Sequence, residues 1–228
     1  ESAPVLLIGG GTFLIFLFFH WLFLEEKHYG LIGEKFFHRQ GIWFFAVVSI
    51  VLAVFVFVAN KANPNMAFGA VIGSTAFFIT HGFKENAERA EQQMIEGAEK
   101  MSDMSKILYL EVIDATFSID GILGAFAFTF SIPLILLGNG IGAFVVRKLT
   151  VSNIENVRKY KYLKNGAMYS ILALGCIMVL HSFGYYVRES THPLLYMISH
   201  IPDWFTPAVT FIIIGYFFWK SYKEVKKQ

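Results

Sequence analysis

The chain has 228 residues, 55% of them hydrophobic and 17% aromatic, and its mean hydropathy is +0.53. Charged residues make up 16%, where a water-soluble domain usually carries about 25%, so a soluble globular fold is excluded and a bilayer is the expected solvent. A net charge of +2 gives no footprint for nucleic acid, which is not an expected partner.

A membrane-spanning helix needs about 20 mostly apolar residues. In chain order the expected spans are Val5–Leu24, Ile42–Ala59, Met66–Phe83, Ile107–Phe130, Ile132–Val146, Gly166–Val187 and Phe205–Lys220. The fifth is short, between Pro133 and Arg147, and is expected to be tilted or partly re-entrant. The fold class read from this pattern is all-α, a polytopic transmembrane bundle of about seven spans forming a single domain over residues 1–228. Cys176 lies inside an apolar stretch and is expected to be a buried, inert thiol.

The segments between spans fix the orientation. With seven crossings, residues 25–41, 84–106, 147–165 and the tail from Lys220 share one side and hold 17 of the 19 basic residues. Only Lys61 and Arg188 fall on the other side. Such a bias marks the basic side, with the C-terminus, as cytoplasmic. Residues 84–106 alternate acidic and basic side chains, which suits a solvated helix.

The fourth span carries the chemistry. Glu111, Asp114 and Asp120 place three carboxylates in a stretch otherwise apolar enough to cross the membrane. A charge near the bilayer centre costs a few kcal/mol even on lenient insertion scales, so such residues mark an ion or substrate path, or are protonated glue between helices. Glu111, Asp114, Ser118, Gly121, Ala125 and Thr129 recur at helical intervals of three and four, a polar and small-residue stripe suited to facing another helix. Asp120 lies off that stripe on an unbroken helix. The acidic central helix is therefore either unwound near Gly121 or presents its carboxylates to two neighbours. Carboxylate, hydroxyl and carbonyl oxygens suit a hard divalent cation. The run from Gly138 to Gly142, with Asn139 at its centre, either exposes backbone to an ion or forms a close-packing face. His81 reads as an interfacial residue, and Glu189, His192, His200 and Asp203 as a weak vestibule without a tight metal spacing.

The segment Glu111-Val112-Ile113-Asp114-Ala115-Thr116-Phe117-Ser118-Ile119-Asp120-Gly121 resembles an acidic motif of the TerC (tellurium-resistance) family of bacterial inner-membrane proteins, in an uncharacterised branch of it. Gly140 to Thr150, Tyr162 to Tyr169, and Gly10-Gly11-Thr12-Phe13-Leu14 through His28 are also similar. The resemblance implies metal-ion homeostasis, with manganese as the transported ion, and links to tellurite resistance and to metal loading of exported proteins. It implies Asp114 and Asp120 as principal ligands, Glu111 as ligand or gate, and Ser118 and Asn139 as auxiliary oxygen donors. An earlier Glu-Leu-Ser…Asp-Asn motif of that family is absent here, and the chain opens on Glu1 rather than Met. These point to a C-terminal fragment that lacks upstream spans and would not transport by itself.

The leading expectation is a divalent-cation transporter of the bacterial inner membrane, with no tightly bound cofactor and manganese as cargo. Its partners are the bilayer, the ion, and a second copy or membrane or exported proteins. The alternative is a non-transporting membrane scaffold. An intramembrane hydrolase is disfavoured, because paired aspartates must sit close enough to share a proton and no Gly-x-Gly-Asp signature precedes Asp120.

Overall fold

The computed structural model describes residues 2–96, 131–186 and 204–226, together with positions 104, 122, 125, 129 and 202. Every regular element among them is helical, as an apolar solvent demands, because only a helix satisfies its backbone within one segment. The helices are α1 (Ala3–Leu24), α2 (Glu34–Arg39), α3 (Phe44–Ala62), α4 (Pro64–Glu96), α5 (Ile132–Lys159), α6 (Leu163–Gly184) and α7 (Phe205–Val225), with a 3-10 turn at Gly41–Trp43 leading into α3.

Four of the described helical stretches are long and apolar enough to cross a membrane: Ala3–Leu24, Gly41–Ala62, Pro64–Phe83 and Leu163–Gly184. These fall within a few residues of four expected spans. The apolar part of α5, Ile132–Val145, rises only about 21 Å against a hydrocarbon core of about 30 Å, and it continues unbroken into a polar helical extension. α7 has the length to span, but its Tyr, Trp and Lys residues make it less apolar than those four. Residues 107–130, the expected acidic span, lie almost entirely outside the described residues.

Local chemistry explains the ends. α1 opens with Pro4 in its first turn, where a missing N–H costs nothing. It closes at Glu25, whose extended backbone lets Lys27 fold back and donate to the Leu22 carbonyl at 2.6 Å and to that of Trp21. Two of the four orphaned carbonyls of the helix end are thereby satisfied. Between α3 and α4, Asn63 is extended as a residue before proline must be, and its Oδ1 accepts from the Asn65 N–H at 2.9 Å.

α1 is the centre. It packs on α4 along one side and α6 along another, α3 lies outside α4, and α7 lies outside α6. Glycines set both close contacts. A Cβ at Gly9 would stand 2.9 Å from the Gly69 carbonyl oxygen, and one at Gly73 would collide with the Gly9 backbone. On the other side, a Cβ at Gly11 would stand 2.8 Å from the Gly175 carbonyl oxygen. Gly69 and Gly73 form the small-xxx-small pattern that lets membrane helices approach backbone to backbone. Beside these contacts, Phe13 and Phe16 meet Phe77 edge to face, with Phe16 and Phe77 centroids 5.8 Å apart, and Phe44 lies tilted against Phe77.

The ends that the charge pattern assigns to one side do meet. The C-terminal end of α1, the N-terminal end of α6 and the C-terminal part of α7 converge through Glu25–Lys164, Asn165–Glu34 and Tyr162–Ser221. At the opposite end, Asn63 Nδ2 donates to the Tyr186 hydroxyl at 2.7 Å.

Candidate functional site

Of the five residues expected to bind metal, Glu111, Asp114, Ser118 and Asp120 lie outside the described residues. Asn139 is half-buried on α5. Among the described residues nothing stands within 4 Å of a Cβ placed at Gly138, Gly140 or Gly142, so no close-packing contact is seen at those glycines. Glu189, His192, His200 and Asp203 also lie outside the described residues. Within the described set, no group of three or more His, Cys, Asp or Glu side chains converges in a way that would hold a metal ion.

Two polar clusters that the sequence did not announce occupy the basic end of the bundle. The first is built on Glu34, which is only 1% exposed although it sits in the connection between α1 and α3. Its Oε2 accepts from the Gly30 N–H at 2.6 Å and from Asn165 Nδ2 at 2.9 Å. The same Asn165 amide donates to the His28 carbonyl at 2.9 Å, and Lys220 donates to the Gly30 carbonyl. One carboxylate thus ties the 28–34 connection to α6, and Lys220 ties the same connection to α7. Gly30 is required here, since a Cβ would fall 2.9 Å from both Asn165 Nδ2 and the Phe217 ring.

Charge around this cluster is arranged to tolerate burial. Lys27 caps α1 and lies over the Trp21 ring at 4.1 Å. Its removal from water holds its pKa down at about 8, although Glu34 and Glu25 pull the other way. Lys164 pairs with Glu25 at 2.5 Å. Tyr162, at the start of α6, has its proton held more firmly than usual, first by a hydrogen bond to Glu224 and then by burial. Its backbone N–H donates to Ser221 Oγ at 2.9 Å.

The second cluster joins α1 to α4. The His20 and His81 rings have centroids 3.8 Å apart at an interplanar angle of 54°. His20 is 9% exposed. Each imidazole has a carboxylate beside its outer nitrogen: Glu25 Oε1 is 3.7 Å from His20 Nδ1, and Glu85 Oε1 is 3.9 Å from His81 Nε2. Phe44 meets His20 edge-on at 5.6 Å, and Phe77 stacks on His81 at 5.7 Å. Two imidazolium charges at this separation would repel by about 4 kcal/mol at an effective dielectric of about 20. His81 is therefore no bare interfacial residue, and its partner lies 61 positions away in the sequence.

Cys176 departs from its expected place. It is exposed on α6, where it lines an open apolar groove of about 570 Å³ with Leu31, Tyr169, Leu172, Ile212 and Tyr216. An apolar neighbourhood in sequence does not separate a helix's packed face from its lipid face, because both are apolar in a membrane protein.

The family model described as "Protein of unknown function (DUF475)" covers residues 3–227, and the chain belongs to that family. The assignment to the TerC family is thereby corrected: the match along nearly the whole chain is to DUF475. The reason is physical. The resemblance rested on short segments, chief among them an eleven-residue stretch with three acids, and such a stretch records what an intramembrane polar stripe requires, whereas a family is defined along the whole chain. The support that the resemblance lent to manganese, tellurite resistance and residue roles falls with it. No curated protein and no solved structure matches the chain.

Proposed function

We propose that this DUF475 chain is a multi-pass protein of the bacterial cytoplasmic membrane that moves a hard divalent cation past intramembrane carboxylates, with its C-terminal tail in the cytoplasm. The observation that carries the reading is the placement of Glu111, Asp114 and Asp120 in a stretch otherwise apolar enough to span. Acids at such depth are costly and are kept where an ion path needs them. The carboxylates of Glu111, Asp114 and Asp120, with Ser118 on the same stripe and Asn139 in the following span, are the oxygen donors that such an ion would meet. The ion is cargo rather than a resident cofactor, and no bond-breaking chemistry is assigned to the protein. The orientation is supported by the 17 basic residues gathered in the segments of one side.

The test uses the full-length protein in cells lacking their own manganese exporters, with manganese as the probe ion. Wild type is expected to lower cellular manganese after a metal challenge, and Asp120→Asn to abolish that effect at matched protein level. If wild type and variant leave manganese equally unchanged, transport of this ion fails as a reading and a scaffold role, detected by co-purifying partners, takes its place.

A further inference from the structure

Between α1 and α3 the chain runs through residues 25–43, and from residue 31 on it is almost continuously turn or helix, with α2 at its centre. Its side chains divide at helical spacing into two faces. Glu34, Phe37 and Gly41 form the inner one. Glu34 is tied to Gly30 and Asn165, Phe37 meets the Phe23 ring edge to face at 5.5 Å, and a Cβ at Gly41 would stand 3.2 Å from the Phe23 carbonyl oxygen. The outer face holds Ile32, Lys35, Phe36, Arg39, Ile42 and Trp43. Ile32 and Ile42 are almost wholly exposed, Phe36 and Trp43 are more than half exposed, and both cations are exposed. Among the described residues neither basic side chain has a hydrogen bond or ion pair.

Four large apolar side chains on one outer face have no favourable partner in water. The face also continues into the outward side of α3: Phe45 follows Ile42 by three positions and Ile50 follows Trp43 by seven, and both are exposed. The segment therefore runs along the membrane boundary, where an apolar body meets acyl chains and a cationic tip meets headgroups. The acids of the same connection do not cancel its charge. Glu34 is buried on the inner face, Glu25 is bound to Lys164, and Glu26 precedes the face by six positions.

We propose that this outer face is a binding surface for anionic phospholipid, with Ile32, Phe36, Ile42 and Trp43 among the acyl chains and Lys35 and Arg39 on headgroup phosphates. The two cations stand one helical turn apart, close enough to share one headgroup. A zwitterionic lipid offers the same phosphate with its charge cancelled, so the surface selects by net charge. The proposal uses neither the carboxylate stripe nor a direction of transport.

The test places a fluorophore on Ile32→Cys in the full-length protein, with its other cysteines replaced, in phosphatidylcholine nanodiscs. Acyl-brominated phosphatidylglycerol is expected to quench it at a mole fraction on the order of tenfold lower than acyl-brominated phosphatidylcholine, from two cations near the surface. That preference is expected to fall towards one in 1 M salt, and likewise in the double variant Lys35→Gln, Arg39→Gln. Quenching by aqueous iodide but by neither lipid would put the face in water and overturn the proposal. Shielding from both would put protein there, a second copy or another chain, and would overturn it equally. Equal quenching by the two lipids at every salt concentration would remove the selection for anionic lipid. Loss of the preference in about 10 mM inorganic phosphate, at constant ionic strength, would identify a site for free phosphate instead. The salt series needs no charge variant, so it decides the matter even where the double variant fails to fold.

Discussion

Helices α1 and α3 are both long, aromatic-rich and apolar, yet 78% of the α1 span is buried in the bundle and only 17% of the Gly41–Ala62 span that contains α3. α3 is, if anything, the more apolar of the two. In water this would be paradoxical. In a bilayer apolarity drives no helix inward, because lipid tails solvate Val and Phe as well as a protein core does. What separates the two helices is side-chain size. α1 carries Gly9, Gly10, Gly11 and Thr12, and two of those glycines let its backbone touch α4 and α6. α3 has no glycine and turns Phe45, Ile50, Val54 and Phe57 outward. Position in the bundle follows from small residues and polar ties, and hydropathy marks only what is in the membrane.

The most direct way to break this comparison is to fill the glycine contact. Gly73→Leu places a side chain where even a Cβ collides with the Gly9 backbone. Neither backbone can yield without moving a whole helix, so destabilisation of about 3 kcal/mol or more is expected. Thermal unfolding in detergent measures it, and a near-neutral result would mean that α1 and α4 do not pack at this distance.

The polar tie at Glu34 comes next. Glu34→Ala leaves the Gly30 N–H and the Asn165 amide without their acceptor and is expected to cost about 2 kcal/mol, as is usual for buried groups deprived of a partner. A parallel loss for Asn165→Ala, with little further loss in the double variant, would identify the two as one unit.

Lys27 gives a smaller, pH-dependent effect with a definite sign. Its folded-state pKa is about 8, below the usual 10.5, so between those values the unfolded chain holds a proton that the folded chain has released. Stability contributed by this group therefore rises as pH increases from 8 to 10.5. The difference in stability between wild type and Lys27→Met should shift in favour of wild type across that window. A difference that is flat with pH would show that burial does not perturb this ammonium.

The comparison also shows what was legible in the sequence. The spans were, because a run such as residues 44–59 has no other solvent than lipid. So was the convergence of the basic segments at one end, which Lys164–Glu25 and Asn165–Glu34 now join. The role of each glycine in Gly9-Gly10-Gly11 was not, since which face meets which helix depends on partners 60 and 164 residues away, Gly69 and Gly175. Glu34 was illegible for the same reason: beside Lys35 in a short connection it reads as a solvated charge, and its burial is created by Asn165, 131 positions on. His20 sits in an apolar run whose sequence gives no hint of His81. The carboxylate stripe of the candidate ion path, legible as a pattern, lies outside the described residues apart from Ala125 and Thr129, and Asn139 is the expected ligand whose place is seen.

The smallest expected effect is the one that sharpens the comparison most. Ile50 on α3 is 64% exposed, whereas Ile8 on α1 is fully buried among Ala59, Met66, Ala67 and Ala70. Truncating Ile8 to Ala opens a cavity between helices that cannot collapse, which in packed cores costs about 2–5 kcal/mol. Truncating Ile50 to Ala opens no cavity, because a lipid chain moves into the space, and the change is expected to stay within about 0.5 kcal/mol. Equilibrium unfolding of both variants in the same lipid–detergent mixture reads the contrast directly. A cost above about 1.5 kcal/mol at Ile50 would show that the outer face of α3 packs on protein, and that its exposure marks a subunit contact rather than lipid.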